Sequence, residues 1–376
     1  MNKILKWIIS LVVVWLVIFW GYSAIKGSNK PVLSGPIKIG VMLPLTGPAS
    51  EYGVSSKNAI DMAVEKINAE DGINKRKIEL VYEDDKCDPA NGLSALNKFV
   101  SADNVKVVIG AICSGVVLSI APEVQKDNLL VISSGASNPE ISNYPNVFRN
   151  WPSDAAQGEF LAKFASEKLG AKKVAVIYLN NDYGTALRDL FKNEFEKVGQ
   201  IVDVEQVPDT LTDARTQLLK IKESNPDAIF LFTYAQQMGI ILKQAKELKI
   251  NKQFLGGEGT KDQKVIDVAD SGAEGLIGLA PATVSSSEQD NFVADYKQKY
   301  SENPGLTGSN AYDIPFLLKK AMSNCSDSDV NCLKRGLIGI KDYHGASGVI
   351  NFDANGDLMN QKYDIVVVKN GKFVSY

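Results

Sequence analysis

The sequence predicts an α/β protein built of two doubly wound parallel sheets in tandem. Three observations predict it. From Ile37 onward, short apolar runs alternate with amphipathic stretches, and strands buried on both faces and joined by helices form parallel sheets. The cycle then restarts at "KKVAVIYL". Each half also places a Tyr-Gly pair where its first helix begins, Tyr52-Gly53 and Tyr183-Gly184. This internal echo suggests similar lobes facing a common space, against the reading of a chance dipeptide at a helix start.

In chain order, "IKIGVML" leads into a helix near Tyr52–Asn68, and "IELVYED" into one near Pro89–Val100. "VKVVIG" leads to a helix after Ser114, and "LLVIS" closes the first unit. The second unit runs through "KKVAVIYL", "IVDVEQV", "DAIFLFTY" and "QFLGGEG", each with its helix. Near the end, "DANGD" between "GVINF" and "QKYDIVVV" reads as a hairpin turn rather than a calcium loop, because downstream ligands are missing.

The 376 residues suffice for two ordinary domains, and 45% hydrophobic with 23% charged residues is a globular composition. A net charge of −3 gives no electrostatic footprint for nucleic acid. Residues 1–26 carry Lys3 and Lys6 and then an apolar run from Trp7 to Trp20. This layout predicts export, with an uncleaved anchor favoured over a cleaved signal, and residues 27–36 as a loose linker. The few residues before Trp7 leave the expectation that no cytoplasmic output domain is present on this chain.

Outside the cytoplasm thiols tend to pair. Cys325 and Cys332 bracket the polar "SDSDVN", which favours a local bridge. Cys87 and Cys113 each follow a strand-like run, at one edge of one sheet. A crosslink is the plainer reading there, with a free catalytic thiol as the alternative.

Enzyme constellations are scarce. His344, in the Gly-rich "DYHGASGV", is the only histidine, so a metal site or a Ser-His-Asp relay would depend on it alone. No phosphate-binding or dinucleotide-binding glycine loop follows the first strand. The expectation is a protein without catalytic residues, metal or cofactor.

Binding groups are easier to find. In open α/β sheets ligands lie beyond the carboxyl ends of strands, at helix N-termini. Ser114 opens a helix there, and "SSGASNPE" puts Gly135, Ala136 and Ser137 in a turn rich in hydroxyl and N–H groups. The corresponding ends of the second unit carry Tyr234 and Glu258. Singly, each reads as an N-cap, a turn residue or a solvated carboxylate. Together they offer an anion nest facing a carboxylate and phenols, which suits the zwitterion of an α-amino acid.

With "IGVMLPLTGPASEYG", "INAEDGI", "YEDDKCDP", "VIGAICSG", "YAQQMG" and "FLGGEG", the chain resembles the periplasmic leucine/isoleucine/valine-binding proteins from about Ile37 to near the C-terminus. These are substrate-binding components of branched-chain amino-acid ABC transporters. The resemblance implies the type I periplasmic binding protein fold, two lobes joined by a three-segment hinge. Its crossings fall near Ser153, Val284 and Gln361, which gives lobes of 37–153 with 284–360 and 154–283 with 361–376. It implies a Cys87–Cys113 bridge, with Ser114, Gly135 and Ser137 on the ligand's carboxylate and part of its ammonium. Tyr183, Tyr234 and Glu258 come from the second lobe, with Glu258 opposite the ammonium, and Tyr52, Ile112 and Tyr312 line the side-chain pocket. Ser137 and Gly135 stand where the family often has Thr and Ala, and Trp151 is bulkier than the usual residue.

The expected function is therefore an extracytoplasmic receptor that is monomeric and not an enzyme. It captures a branched-chain or aliphatic amino acid by lobe closure and delivers it to an ABC transporter permease. The alternatives are an ectodomain sensing amino acids, amides or urea for a membrane signalling partner, and an exported α/β enzyme acting on a small amine.

Overall fold

The computed structural model describes residues 35–282, 285–359 and 362–376, together with Trp7 and Trp15. The anchor and linker expected over 1–36 fall almost wholly outside the described residues, as do the crossings expected at Val284 and Gln361. Among the described residues, no helix is long and apolar enough to cross a membrane.

The first sheet holds β1 (Ile37–Leu43), β2 (Ile78–Asp84), β3 (Val107–Gly110), β4 (Leu130–Ser133) and β5 (Val147–Arg149). All neighbours are parallel, in the order β2-β1-β3-β4-β5. The second sheet is built on β6 (Lys173–Leu179), β7 (Gln200–Val207), β8 (Ala228–Phe232), β9 (Gln253–Gly256) and β10 (Ile277–Pro281). Its order is β14-β13-β10-β9-β8-β6-β7, where β13 is Tyr363–Lys369 and β14 is Lys372–Ser375. Parallel pairing holds from β7 to β10, whereas β13 and β14 add antiparallel. A chain returning at its end needs only a tight turn to pair this way, whereas a parallel return needs a crossover. The central strand β8 is buried at every residue, as its apolar sequence requires between two helical layers.

The "DANGD" turn forms, but the hairpin expected around it does not. The turn is closed by the Phe352–Leu358 bridge. "GVI" instead forms β12 (Gly348–Ile350), which pairs with β11 (Tyr343–Gly345), while "YDIVVV" joins the second sheet. The turn docks on β5: Arg149 donates its backbone N–H to Gly356 O at 3.0 Å and its Nε–H to Asp357 Oδ1 at 2.6 Å. The acidic turn thus serves a buried arginine, not calcium.

Both sheets have a switch point, where helices leave the central strand pair on opposite sides. In the first it lies between β1 and β3, and in the second between β6 and β8. The first helix of each unit, α1 (Ser50–Ala69) and the helix after β6 (Asp182–Phe195), begins at that point. Its glycine explains the approach: a Cβ on Gly53 would lie 2.0 Å from Pro44 O, and one on Gly184 2.2 Å from Leu179 O. Only glycine lets each helix start press on the end of its strand. The Tyr-Gly echo is therefore a packing device used twice.

Candidate functional site

The two switch points open onto one cavity, the place where open α/β sheets hold their ligands. Tyr52, Ile112, Ser114, Gly135, Ser137, Tyr183, Tyr234 and Glu258 line it together, all of them singled out by the sequence. Two other sequence candidates stand elsewhere. Ala136 is buried behind the lining and donates its N–H to Ser133 Oγ at 3.0 Å. Tyr312 does not line the cavity. Its ring packs on Phe292 at 4.6 Å and Phe316 at 5.2 Å, under Lys66 near the far end of α1. The helix face that carries it turns toward α1's later turns, several turns away from Tyr52.

On the first-sheet side, Ser114 begins the helix Ser114–Lys126. The N–H groups of Val116 and Val117 turn back to Cys113 O, both at 3.1 Å. Those of Ser114 and Gly115 have no carbonyl within their own helix, and the helix dipole adds positive character there. Ser114 Oγ accepts long bonds from the N–H groups of Ser137 and Asn138, at 3.3 and 3.2 Å. Its lone pairs are thereby occupied, which leaves its proton to donate. This wall favours an anion.

The adjoining wall is acidic. Glu258 follows the Gly256-Gly257 end of β9 and is 4% exposed. Beside it lies Asp154, 0% exposed, which the sequence reading did not single out. Gln157 Nε2 donates to Asp154 Oδ1 at 2.5 Å and also to Glu258 Oε2. The amide oxygen of Gln157 accepts from the Glu258 N–H at 2.9 Å, and Ser137 Oγ donates to Asp154 Oδ2 at 2.8 Å. Burial raises the pKa of both carboxyls, and for Asp154 repulsion by Glu258 is the next cause. Two adjacent buried carboxyls do not both ionise without a cation, so this wall calls for positive charge. A signal for Asp154 existed: it follows Ser153, where the first crossing was expected.

Aromatic rings frame the acidic wall. Tyr183 stacks on Tyr234 with centroids 5.5 Å apart, and Tyr52 meets Tyr234 edge-on at 6.1 Å. Burial, followed by the charge of Glu258, pushes the Tyr183 phenol well above its ordinary value, so it remains a neutral donor. Tyr52 reaches from α1 to accept the Ala235 N–H at 2.9 Å, and Asn138 donates to Asp182 O at 3.0 Å. These bonds run from elements beside the first sheet to elements beside the second. Trp151, Leu306 and Thr307 complete the apolar lining. Thr307 Oγ1 is fixed by Ser56 at 2.8 Å.

Cys87–Cys113 and Cys325–Cys332 are disulfides, with Cα separations of 5.5 and 5.7 Å, and no free cysteine remains among the described residues. The free-thiol alternative is thereby removed. The first bridge ties the end of β2 to the Ser114 helix start, and Cys113 itself lines the cavity. His344 sits in β11, and among the described residues no cluster of His, Cys, Asp and Glu could hold a metal ion.

Comparison with known proteins places this geometry. A model of the periplasmic binding protein family matches residues 36–372. The "Leucine-, isoleucine-, valine-, threonine-, and alanine-binding protein" of Pseudomonas aeruginosa is 28% identical over 347 residues, 91% of this chain and 92% of its own. The crystal structure of a leucine-binding protein, LivK, from Thermotoga maritima superposes with a TM-score of 0.83 at 28% identity, covering 90% of this chain and 97% of that one. The branched-chain amino acid transporter substrate-binding protein LivJ from Streptococcus pneumoniae, in complex with isoleucine, gives a TM-score of 0.83 at 28% identity, over 90% and 98% of the two chains.

Proposed function

The chain belongs to the periplasmic binding protein family, a family of solute-binding receptors, and from that premise we propose that its solute is an α-amino acid, branched-chain or aliphatic. The observation that carries this reading is the pairing of two unlike walls in one cavity: a helix start with Ser114, and the Asp154–Glu258 pair that adjoins it through Ser137. A ligand with one charge leaves one wall uncompensated, at a desolvation cost. An α-amino acid meets both. Its ammonium takes Glu258, its carboxylate takes Ser114 and the N–H groups beside it, and its side chain lies against Tyr52, Ile112 and Leu306. The relatives named for leucine, isoleucine and valine support the aliphatic assignment.

Residues 37–153 with 284–360 act as one lobe and 154–283 with 361–376 as the other. The ligand favours the closed form because only that form engages both walls. The closed receptor works outside the cytoplasm, as a monomer and without catalysis, and hands its cargo to an ABC transporter permease. The test is a thermal-shift screen over amino acids, amides and urea. A ligand at 100 times its dissociation constant adds about 2.7 kcal/mol of apparent stability. Stabilisation by leucine, isoleucine or valine fits the reading, and stabilisation by urea or amides alone overturns it.

A further inference from the structure

Trp151 stands in the cavity wall yet plays no part in either charged set. It is 2% exposed and among the largest fully buried side chains. Its backbone neighbours bind it to the nest: Asn150 donates its N–H to Ser133 O at 2.8 Å, and Asp154 donates to Ser137 O at 2.9 Å. The chain from 150 to 154 therefore runs along the back of the 133–137 loop, and Trp151 is wedged where that loop meets the side-chain space.

Among the described residues its buried indole Nε1 has no hydrogen-bond partner. A buried tryptophan ordinarily finds an acceptor for that N–H. Here the ring is held by packing alone, so no internal hydrogen bond accounts for an indole at this position. The rest of the wall on this side is small or aliphatic, Ile112, Gly135, Leu306 and Thr307, apart from Tyr52, whose phenol is tied to the Ala235 N–H. Trp151 is the bulky side chain there that no hydrogen bond holds, and its removal would enlarge the cavity.

Resting on the amino-acid reading above, we infer that Trp151 is the specificity-determining residue of the site. Its ring caps the length of the ligand side chain, which admits branched aliphatic chains and excludes aromatic ones.

Tryptophan occurs only at positions 7, 15, 20 and 151, so Trp151 is the sole tryptophan after residue 20, and it reports on its own site. Calorimetric titration of the full chain with leucine and with phenylalanine, run beside tryptophan emission, tests the inference. Trp151→Ala raises the phenylalanine-to-leucine affinity ratio on the order of tenfold, the scale of a small change in pocket fit. Trp151→Phe, with a smaller ring, raises that ratio by less than Trp151→Ala does. Leucine changes the emission of the unaltered chain and leaves that of Trp151→Phe unchanged. An unaltered affinity ratio in a Trp151→Ala protein that retains its circular dichroism overturns the inference. So does leucine binding that leaves the unaltered chain's emission unmoved, a result that decides the matter even where Trp151→Ala fails to fold. Absence of any amino-acid binding by the unaltered chain instead sinks the underlying reading.

Discussion

The wall at the ends of β3 and β4 meets the cavity with neutral donors, the Ser114 hydroxyl and the first N–H groups of its helix. The wall carried by Asp154, Gln157 and Glu258 meets it with two carboxyl groups joined through one amide. The first is assembled largely from backbone and carries no formal charge, and Ser114 Oγ already accepts from Ser137 and Asn138. The second is built of acids, and burial holds both above their ordinary pKa. The difference teaches where binding energy resides. A nest of dipoles tolerates being empty, whereas a buried acid pair keeps a proton until a cation arrives.

The largest effect comes from breaking the acidic wall. Glu258→Gln removes the charge opposite the ammonium while keeping its shape, and amino-acid affinity measured by calorimetry falls by about 2–5 kcal/mol. An unchanged affinity removes that role from Glu258. The other wall is softer. Ser114→Ala deletes one donor and also leaves two N–H groups short of an acceptor, for a loss of about 1–3 kcal/mol. A loss equal to that of Glu258→Gln would erase the asymmetry between the walls. Smaller again is Tyr52→Phe, which gives up the bond to the Ala235 N–H across the cavity. It weakens binding by about 0.5–1.5 kcal/mol, visible as faster ligand release in stopped flow.

The comparison sharpens with pH. Asp154 holds its proton to higher pH in the folded protein than in the unfolded chain. The folded state therefore binds more protons above the ordinary aspartate range, and its stability falls as pH rises through that window. Asp154→Asn mimics the protonated acid and removes this fall. Thermal unfolding of the ligand-free protein then shows the variant more stable than the parent at pH 8, with the gap closing toward pH 4. A gap that is constant with pH would mean that Asp154 is ionised when the site is empty.

How much was legible follows the same division. Alternation of apolar runs and helices gave both central parallel sheets, because strands buried on two faces leave a continuous apolar signal. The three-residue β5 was too brief to stand out, β10 was passed over although it is as long as β8, and the antiparallel ending depends on tertiary pairing. Ser114, Gly135 and Ser137 were readable because strand ends and helix starts are local features. Asp154 was not, since its partnership with Glu258 joins residues about a hundred positions apart. Tyr312, set in the side-chain pocket by the resemblance, packs instead on Phe292 and Phe316, a choice of neighbours that sequence position alone does not decide.

The claim that both walls read the ligand at once is tested most directly by titrating leucine beside two analogues that each lack one charge: 3-methylbutylamine, without the carboxylate, and 4-methylpentanoate, without the amine. The account predicts measurable binding for leucine and a loss of at least about a hundredfold for each analogue, since either leaves one buried polar wall unmatched. If either analogue binds within tenfold of leucine, one wall does not read charge, and the account of the cavity is contradicted.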